Sequence, residues 1–280
     1  GGWPFDDHPP GGFDDWDQPP FYSRPIQEPY NIAFESLYSE NIDNLMMAGR
    51  NISNSHVAFT STRVMATCAC TGQAIGTAAA LCNEKDVLPA QLRKNHIREL
   101  QQRLLRDDQS IRKVTNKDPD DLARIASVSA SDHLEGAEPL HIIDGKVRDV
   151  PTQWDHRWGA KAIDGGQWIE LTWDDPVLLD EIQITFDSGF HRQLTLSASD
   201  GASRNIIRGP QPEMVKDYKI SYVDDSGARQ GLVDIEGNYL RLRRHRFAAI
   251  QVRSLRLHAL TTHATEQIRV FEIRCYSRKE

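Results

Sequence analysis

The pattern of hydrophobic and polar positions divides the chain into two parts of different character. In the first part apolar residues recur at helical spacing, which predicts one helix over Thr62–Cys82 and a second over 89–112. The short apolar run Leu45–Arg50 is typical of a buried strand that ends in a glycine turn. After Leu122 apolar and polar residues alternate, which indicates β-strands.

The second part consists of short predicted strands separated by turn clusters rich in Asp, Gly, Pro and Asn. The predicted strands are Ile125–Ser131, Trp168–Trp173, Glu181–Phe186, Leu194–Ala198, Tyr218–Val223, Gly231–Ile235, Leu240–Arg243, Ser254–Leu260 and Val270–Tyr276. Many short strands at this spacing favour an antiparallel β-sandwich. The fold class is therefore mainly β, with domains predicted at residues 1–118 and 123–280.

The first 44 residues have neither pattern, because prolines at high density exclude helices and central strands. Aromatic residues are too frequent there for a solvated linker. We predict an irregular segment that packs across another surface.

Composition narrows the possible partners. The chain has 280 residues and a net charge of −7, which gives no electrostatic support for a nucleic-acid partner. Its four cysteines are too few for a disulfide framework and show no zinc-ligand spacing. The sequence begins Gly1-Gly2-Trp3 without Met or a signal peptide, so we expect a fragment of a longer protein and leave its compartment open.

Small residues form a stripe along the helix predicted over Thr62–Cys82. Gly72 and Gly76 lie on it, and each glycine costs a helix roughly 1 kcal/mol. Three explanations fit this stripe: tight packing on a sheet, a membrane helix, or a helix whose N-terminal amides face a cofactor. The stretch is rich in Ala, Thr and Cys and poor in Leu and Ile, so we predict no membrane span.

The first part resembles the C-terminal end of FAD-dependent oxidoreductases, and most closely a bacterial group sometimes named xanthan lyases. The segments that are similar, in the same order, are Trp3 to Phe13, Asn41 to Arg50, Ser61-Thr62-Arg63-Val64-Met65-Ala66-Thr67 and Gly72-Gln73-Ala74-Ile75-Gly76-Thr77-Ala78-Ala79-Ala80. The resemblance covers residues 1 to about 112. It implies an incomplete α/β flavin-domain segment with two helices.

The resemblance also implies cofactor contacts. Gly49 and Arg50 would touch the ribityl–phosphate part of FAD, and Thr62, Arg63 and Val64 would lie beside its isoalloxazine ring. The G-x-G-x-x-G motif that binds the ADP half of FAD is absent from the sequence. We therefore expect that the flavin-binding half is supplied in cis or in trans. The fragment alone would not hold FAD, and oxidoreductase activity would belong to the parent protein.

The second part resembles a discoidin domain, the galactose-binding-like module of coagulation factor 5/8 type C, over its whole length. The segments that are similar are Ala126-Ser127-Val128-Ser129-Ala130-Ser131, Ile142-Ile143-Asp144-Gly145-Lys146, Trp154, Gly166-Gln167-Trp168-Ile169-Glu170-Leu171, Leu179-Asp180-Glu181-Ile182, Tyr218-Lys219-Ile220-Ser221-Tyr222, Leu255-Arg256-Leu257 and Phe271-Glu272-Ile273-Arg274. This resemblance implies a jelly-roll sandwich, and many modules of this family bind carbohydrate.

Two sites follow from the second resemblance. A structural calcium ion would be held by Asp144 and Glu272 with backbone carbonyls, unless Asp144 only caps its turn. Glycan would be bound by loops at one end of the sandwich, where the candidates are His156, Arg157, Trp158, His191 and Arg192. Trp154 is predicted to be a core residue.

A basic cluster, Arg241 to Arg246, is either a solvated strand face or a surface for acidic polysaccharide. The sequence has no G-x-S-x-G motif and no recognisable Ser/His/Asp set. Our hypothesis is the C-terminal portion of an FAD-dependent oxidoreductase with a glycan-binding module. The alternatives are a non-catalytic docking module and part of a polysaccharide-degrading enzyme.

Overall fold

The computed structural model describes residues 1–149, 156–192 and 199–277. The chain divides into two compact units, Gly1–Val114 and Thr115–Glu280. The first unit consists of helices and irregular chain, and the second consists mainly of β-strands.

Residues 115–118, assigned to the first domain by the sequence pattern, belong to the second unit. The reason is local: the Asn116 N–H donates to the Gly145 carbonyl over 3.0 Å. Gly145 has φ +80°, and a Cβ there would lie 2.7 Å from the Asn116 nitrogen. Trp154 and the predicted strand Leu194–Ala198 lie outside the described residues.

The first unit begins with a short antiparallel hairpin, β1 (Phe5–Asp7) and β2 (Tyr22–Arg24). Short 3₁₀ helices follow at Gly12–Asp14 and Phe34–Leu37. The predicted strand Leu45–Arg50 does not form, and that segment contributes only an isolated bridge between Tyr38 and Met46.

Four α-helices replace the two predicted ones: α1 (His56–Thr62), α2 (Met65–Lys85), α3 (Pro89–Asn95) and α4 (Ile97–Arg106). The predicted first helix is interrupted at Val64, whose backbone is extended with φ −73° and ψ 147°. The predicted second helix is interrupted at His96, with φ −128° and ψ 11°, and it ends at Arg106. The side chain of Ser55 caps α1 by accepting from the Ala58 N–H over 3.3 Å.

Helix α2 packs on the core of the first unit through one face. Its buried residues recur every three or four positions and are Thr67, Thr71, Ala74, Ala78 and Leu81. Of these, Ala74, Ala78 and Leu81 belong to a hydrophobic cluster with side chains of α3, α4 and the 3₁₀ helix Phe34–Leu37.

The small-residue stripe lies on the other side of α2. Gly72 and Gly76 are exposed, and a Cβ at either position would have no neighbour within 4 Å. Among the described residues α2 is the one helix long and apolar enough to cross a membrane, and buried core helices meet the same criterion.

Among its described residues, the second unit contains seven strands. They are β3 (Ser127–Ala130), β4 (Trp158–Lys161), β5 (Gln167–Phe186), β6 (Val215–Val223), β7 (Arg229–Ile235), β8 (Leu242–Thr262) and β9 (Gln267–Tyr276). A short helix, α5 (Asp200–Arg204), precedes β6, and 3₁₀ helices lie at Leu122–Ile125 and Pro139–Ile143.

The long strands β5 and β8 pair with each other along their length and connect two half-sheets, all antiparallel. One half has the order β3-β5-β8-β6-β7, and the other has the order β4-β9-β5-β8. Each of these long strands replaces two predicted strands. The predicted strands before and after Asp174-Asp175-Pro176 both belong to β5, and those before and after residues 244–253 both belong to β8. The register of β5 against β8 shifts after Thr172 and again after Leu179. Pro176 lies within the first shift, and irregularities of this kind are where a strand can accommodate proline.

Inward-facing side chains of both half-sheets belong to one hydrophobic cluster. It includes Ile169 and Leu257 from the first half-sheet, and Ile184, Val270 and Ile273 from the second. The predicted antiparallel β-sandwich is confirmed.

Candidate functional site

The predicted cofactor residues of the first unit lie around the start of α2. Gly49 has φ +90°, a conformation that favours glycine, and its N–H donates to Thr71 Oγ1 of α2 over 3.1 Å. Cys68, one turn earlier on α2, lies with its Sγ 3.7 Å from the Thr62 carbonyl oxygen. Gly49 and Thr62 are therefore held against the same turn of the helix.

Two arginines share an aromatic partner at this place. The guanidinium carbon of Arg50 lies 5.5 Å from the centre of the Phe59 ring, and that of Arg63 lies 5.9 Å away. Arg63 also donates to the backbone carbonyl of Asp6 over 2.8 Å and to its carboxylate over 3.3 Å. The hairpin strand β1 thus fixes the position of Arg63.

The N-terminus of α2 has features that suit an electron-rich group. Val64 is its N-cap and provides no side-chain acceptor, and the first turn has no acidic residue. Thr62 is 4% exposed, and its Oγ1 has no hydrogen-bond partner among the residues that the structure describes. The amides at the start of a helix, at the positive end of its dipole, favour negative charge. The residues present therefore fit the redox-active ring of a flavin.

In the second unit, three of the five predicted glycan residues, Arg157, His191 and Arg192, lie in one region, and Trp158 and His156 do not belong to it. Trp158 begins β4, pairs with Val270, and is fully buried. Its Nε1 donates to the Asp132 carbonyl over 3.0 Å. Trp158 is a core residue of the sandwich, and its prediction as a loop ligand is corrected.

His191 and Arg192 form a charged cluster with Glu213. Arg192 Nη2 donates to Glu213 Oε2 over 2.7 Å, Nη1 contacts the other oxygen, and His191 Nε2 lies 3.6 Å from Glu213. The hydrogen bond from Arg192 lowers the pKa of Glu213. Gly189 permits this packing, since it has φ +73° and a Cβ there would lie 2.3 Å from Arg192 Nη2.

Arg157 belongs to the same region. Its guanidinium contacts the Asp149 carboxylate and lies 5.8 Å from the Phe271 ring centre. Burial lowers the pKa of Arg157, while Asp187 opposes that shift. Asp187 in turn accepts from Arg269 over 3.3 Å.

Phe190 is the exposed aromatic ring of this region, and the sequence pattern did not identify it. It is 40% exposed, and the guanidinium carbons of Arg148 and Arg241 lie 5.1 Å and 4.5 Å from its ring centre. The run Ser188-Gly189-Phe190, directly before two predicted ligand residues, was the signal available. Two buried polar atoms beside it, Ser188 Oγ and Asp149 Oδ1, have no hydrogen-bond partner in the part of the chain that the structure describes.

The structure separates the basic cluster predicted over 241–246. Arg241 turns to the Phe190 loop and donates to the Phe186 carbonyl over 2.8 Å. Arg244 and Arg246 instead pair with side chains of β5, Gln183 and Glu181 respectively. The five basic residues of the cluster therefore do not act as one surface.

The predicted calcium ligands each have protein partners. Asp144 accepts from the Lys146 N–H over 2.7 Å, and its other oxygen lies 3.2 Å from His156 Nδ1. Glu272 accepts from Arg274 Nε over 2.5 Å and from Asn116 over 3.4 Å. His156 therefore lies at the turn formed by Asp144 and Gly145.

Burial raises the pKa of Glu272 to about 7 although Arg274 acts to lower it. Among the described residues no group of three or more His, Cys, Asp or Glu side chains is placed to hold a metal ion. Calcium takes about six to eight oxygen ligands. Among the described residues, side-chain carboxylates alone therefore do not form a calcium site, and the predicted ion would depend on backbone carbonyls.

Comparison with known families matches the two units separately. Residues 1–104 match the family model described as FAD dependent oxidoreductase. Residues 121–236 match a model described as a domain of unknown function (DUF7402). No curated protein matches the chain.

Solved structures similar to the second unit include three carbohydrate-binding modules. Chitosan-binding module 1 of a Paenibacillus sp. IK-5 chitosanase/glucanase is 17% identical, with TM-score 0.42, and the match covers 56% of this chain and 98% of that one. A family 32 module of Streptococcus pneumoniae EndoD is 15% identical, with TM-score 0.40 and coverage of 55% and 98%. The family 32 module of C. perfringens NanJ, solved with galactose, is 15% identical, with TM-score 0.39 and coverage of 55% and 96%.

At these scores the matches identify no ligand for this chain. The family match and the fold agree on its organisation. The chain joins a segment that matches the FAD dependent oxidoreductase family model, at residues 1–104, to an antiparallel β-sandwich.

Proposed function

We propose that the first unit completes the flavin site of an FAD-dependent oxidoreductase and that the second unit binds glycan. The observation that carries the first half of this proposal is the arrangement around the start of α2, inside the segment that matches the oxidoreductase family. Thr62, Arg63 and Val64 lead into the first turn of α2, the Gly49 N–H donates to Thr71 of α2, and Arg50 shares the Phe59 ring with Arg63. The flavin-binding half supplied elsewhere would hold the ADP part of the cofactor.

Bound FAD supplies a ring that accepts a hydride and passes its electrons on. The residues of this chain bind and orient. The first-turn amides of α2 favour the negative charge that accumulates on an electron-rich group. Arg63, held by Asp6, adds a fixed positive charge, and the Thr62 hydroxyl is available as a hydrogen-bond donor.

Variants of the native gene product test the flavin proposal. Arg63→Gln removes the charge next to α2, and we expect a lower content of bound flavin, measured from its visible absorbance per mole of protein. Arg98→Gln, an exposed arginine on α4, is the matched control and should retain wild-type content. Equal flavin content in the two variants, or none in the wild-type product, would contradict the proposal.

The second half of the proposal is supported by the Phe190 loop. An exposed aromatic ring, two buried polar atoms without partners and several guanidinium groups lie together at residues contributed by separate loops. Aromatic rings pack on the apolar faces of sugars, and polar side chains bond sugar hydroxyls. This combination is typical of a site for a polyhydroxylated ligand.

Phe190→Ala tests this site. We expect binding of the full chain to immobilised glycans to fall, while the melting temperature stays close to that of the wild type. The matched control is Phe13→Ala, which removes a more exposed ring from the first unit. The site assignment fails if both variants bind as the wild type does.

A further inference from the structure

We infer that Tyr239 forms a second sugar subsite next to Phe190, so that the second unit takes a glycan of at least two linked sugars. This inference rests on the proposed glycan binding of the second unit and names its ligand as an oligosaccharide. It is carried by the way in which the protein holds Tyr239 in solvent.

Tyr239 lies on the loop between β7 and β8 and is 67% exposed. Phe190 is 40% exposed, and the guanidinium groups of Arg148 and Arg241 lie over its ring. Among the described residues no ring or cation packs on Tyr239 in this way. Its ring is therefore the more open of the two.

A buried side chain fixes the loop that carries Tyr239. Asn238 is 1% exposed, and its Nδ2 donates to the Val215 carbonyl over 2.9 Å and to the Leu240 carbonyl over 3.2 Å. Its Oδ1 accepts from the Leu240 N–H over 3.1 Å and from Arg243 Nη1 over 3.3 Å. The residues before and after Tyr239 are thus joined to each other through one side chain.

The backbone of Asn238 is fixed as well. Its N–H donates to the Lys216 carbonyl over 2.7 Å, and its carbonyl oxygen lies 2.7 Å from His263 Nε2. Ordering a loop when a ligand binds lowers the affinity, and a loop that is already ordered avoids this cost. An open aromatic ring on such a loop is suited to binding.

The loop also adjoins the Phe190 ring. The Arg241 carbonyl accepts from the Phe186 N–H over 2.9 Å, and the Arg241 guanidinium carbon lies 4.5 Å from the Phe190 ring centre. Tyr239 precedes Arg241 by two residues, which span at most about 7 Å of chain. Tyr239 and Phe190 therefore lie at the same end of the sandwich.

A second connection leads to the same place. Asn238 bonds to Val215 at the start of β6, and Glu213, two residues earlier, holds Arg192. Tyr239 thus lies between two segments that each contact the loop of Phe190.

Aromatic rings pack on the apolar faces of sugars. The rings of Phe190 and Tyr239 come from different loops and, among the described residues, are not stacked on each other. A chain of linked sugars contacts one ring after the other, whereas a single sugar on Phe190 leaves Tyr239 unused. The arrangement therefore favours an oligosaccharide.

The test compares ligands that differ in length alone. The full chain is titrated calorimetrically with galactose and with its β-1,4-linked oligomers, and glucosamine with its β-1,4-linked oligomers forms a second series. We expect the oligomers of the bound series to bind about three- to tenfold more tightly than the single sugar, which is the effect of one stacked ring.

Tyr239→Ala should bind the single sugar as the wild type does and lose the gain from chain length. Tyr239→Phe keeps the ring and should retain the gain. The matched control is Tyr22→Ala, which removes a 46% exposed tyrosine from the first unit and should bind as the wild type does. We expect the melting temperature to be unchanged in all three variants, because these side chains are exposed.

The outcomes separate the second subsite from glycan binding itself. Equal affinity for single sugar and oligomers, or a gain that survives in Tyr239→Ala, overturns the second subsite and leaves glycan binding intact. Loss of single-sugar binding in Tyr239→Ala also overturns it, since both rings would then serve one sugar. If the folded chain binds neither series, glycan binding and the second subsite both fail.

Discussion

Glu272 and Arg274 form an ion pair that the protein encloses completely. Their exposures are 1% and 0%, and they lie two residues apart on one face of β9. Removing one partner of such a pair leaves a buried charge without compensation. We therefore expect Arg274→Met to lower the free energy of unfolding by about 3 kcal/mol, measured by urea denaturation.

The double variant Glu272→Met/Arg274→Met is the control for this prediction. Because it removes both charges, we expect it to recover much of the stability that Arg274→Met loses. An Arg274→Met protein as stable as the wild type would contradict the assigned pairing.

Calcium dependence is the second prediction at this scale. Arg274 already supplies positive charge to Glu272, and the carboxylate of Asp144 accepts from Lys146 and contacts His156. We expect the melting temperature of the chain to be the same in calcium and in chelator, by differential scanning fluorimetry. A rise with calcium that saturates would show that a metal site forms after all.

We expect the free energy of unfolding to depend on pH through His245. Its Nε2 lies 2.9 Å from the Tyr218 hydroxyl, and burial, with a smaller effect of Arg243, lowers the pKa of His245 from 6.5 to about 4. Above pH 6.5 the imidazole is neutral in both the folded and the unfolded chain, so its contribution to stability is fully present. This contribution is lost as the pH falls toward 4, because the unfolded chain binds the proton first.

The size of this contribution is on the order of 2 kcal/mol. We expect the difference in unfolding free energy between wild type and His245→Gln to shrink by that amount between pH 7 and pH 4. A difference that stays constant over this range would contradict the buried neutral imidazole.

At the scale of elements, the two faces of α2 have different roles. The face with Thr71, Ala78 and Leu81 is buried in the first unit, and the face with Gly72 and Gly76 is exposed. A helix that is apolar on all sides is normally enclosed on all sides. The exposed face therefore favours contact with a further part of a larger protein.

Alanine substitutions test this interpretation of α2. In the chain alone, Gly72→Ala and Gly76→Ala meet nothing within 4 Å, and we expect each to stabilise the first unit by up to about 1 kcal/mol. In the complete flavoprotein the same changes should destabilise, because the added methyl groups keep the partner from the backbone. Stabilisation of equal size in both proteins would argue against a contact on this face.

Periodicity predicted most of the β-structure, because alternation along a strand depends on local sequence. It did not predict that Trp168–Trp173 and Glu181–Phe186 are one strand, since Asp174-Asp175-Pro176 has the composition of a turn. Hydrogen bonds to β8 before and after that segment hold it extended. Local composition gives no sign of this pairing, because β8 lies far along the chain.

The sites show the same limit. The charged pairs of Arg192 with Glu213 and of Arg269 with Asp187 join residues that lie 21 and 82 positions apart, so spacing alone gives no sign of them. The sequence pattern assigned Trp158 to a ligand loop, because a tryptophan beside His156 and Arg157 is as compatible with such a loop as with the first residue of a strand. Burial decides between the two, and burial depends on the complete sandwich.

At the scale of the whole molecule, the chain has two units with separate cores. Within the described residues, neither core explains the exposed side of α2 or the buried polar atoms without partners at Thr62 and Ser188. We assign the exposed side of α2 and Thr62 to contacts with a flavin-binding half, and Ser188 to contact with a glycan. In this view residues 1–104 work as part of a flavoprotein.

The most direct test of that claim is the mass and visible spectrum of the native gene product. If residues 1–104 are part of a flavoprotein, we expect a protein longer than 280 residues, or a stable complex of two chains, with bound FAD that is released on denaturation. A colourless product of 280 residues, which stays colourless when FAD is added, would contradict this proposal.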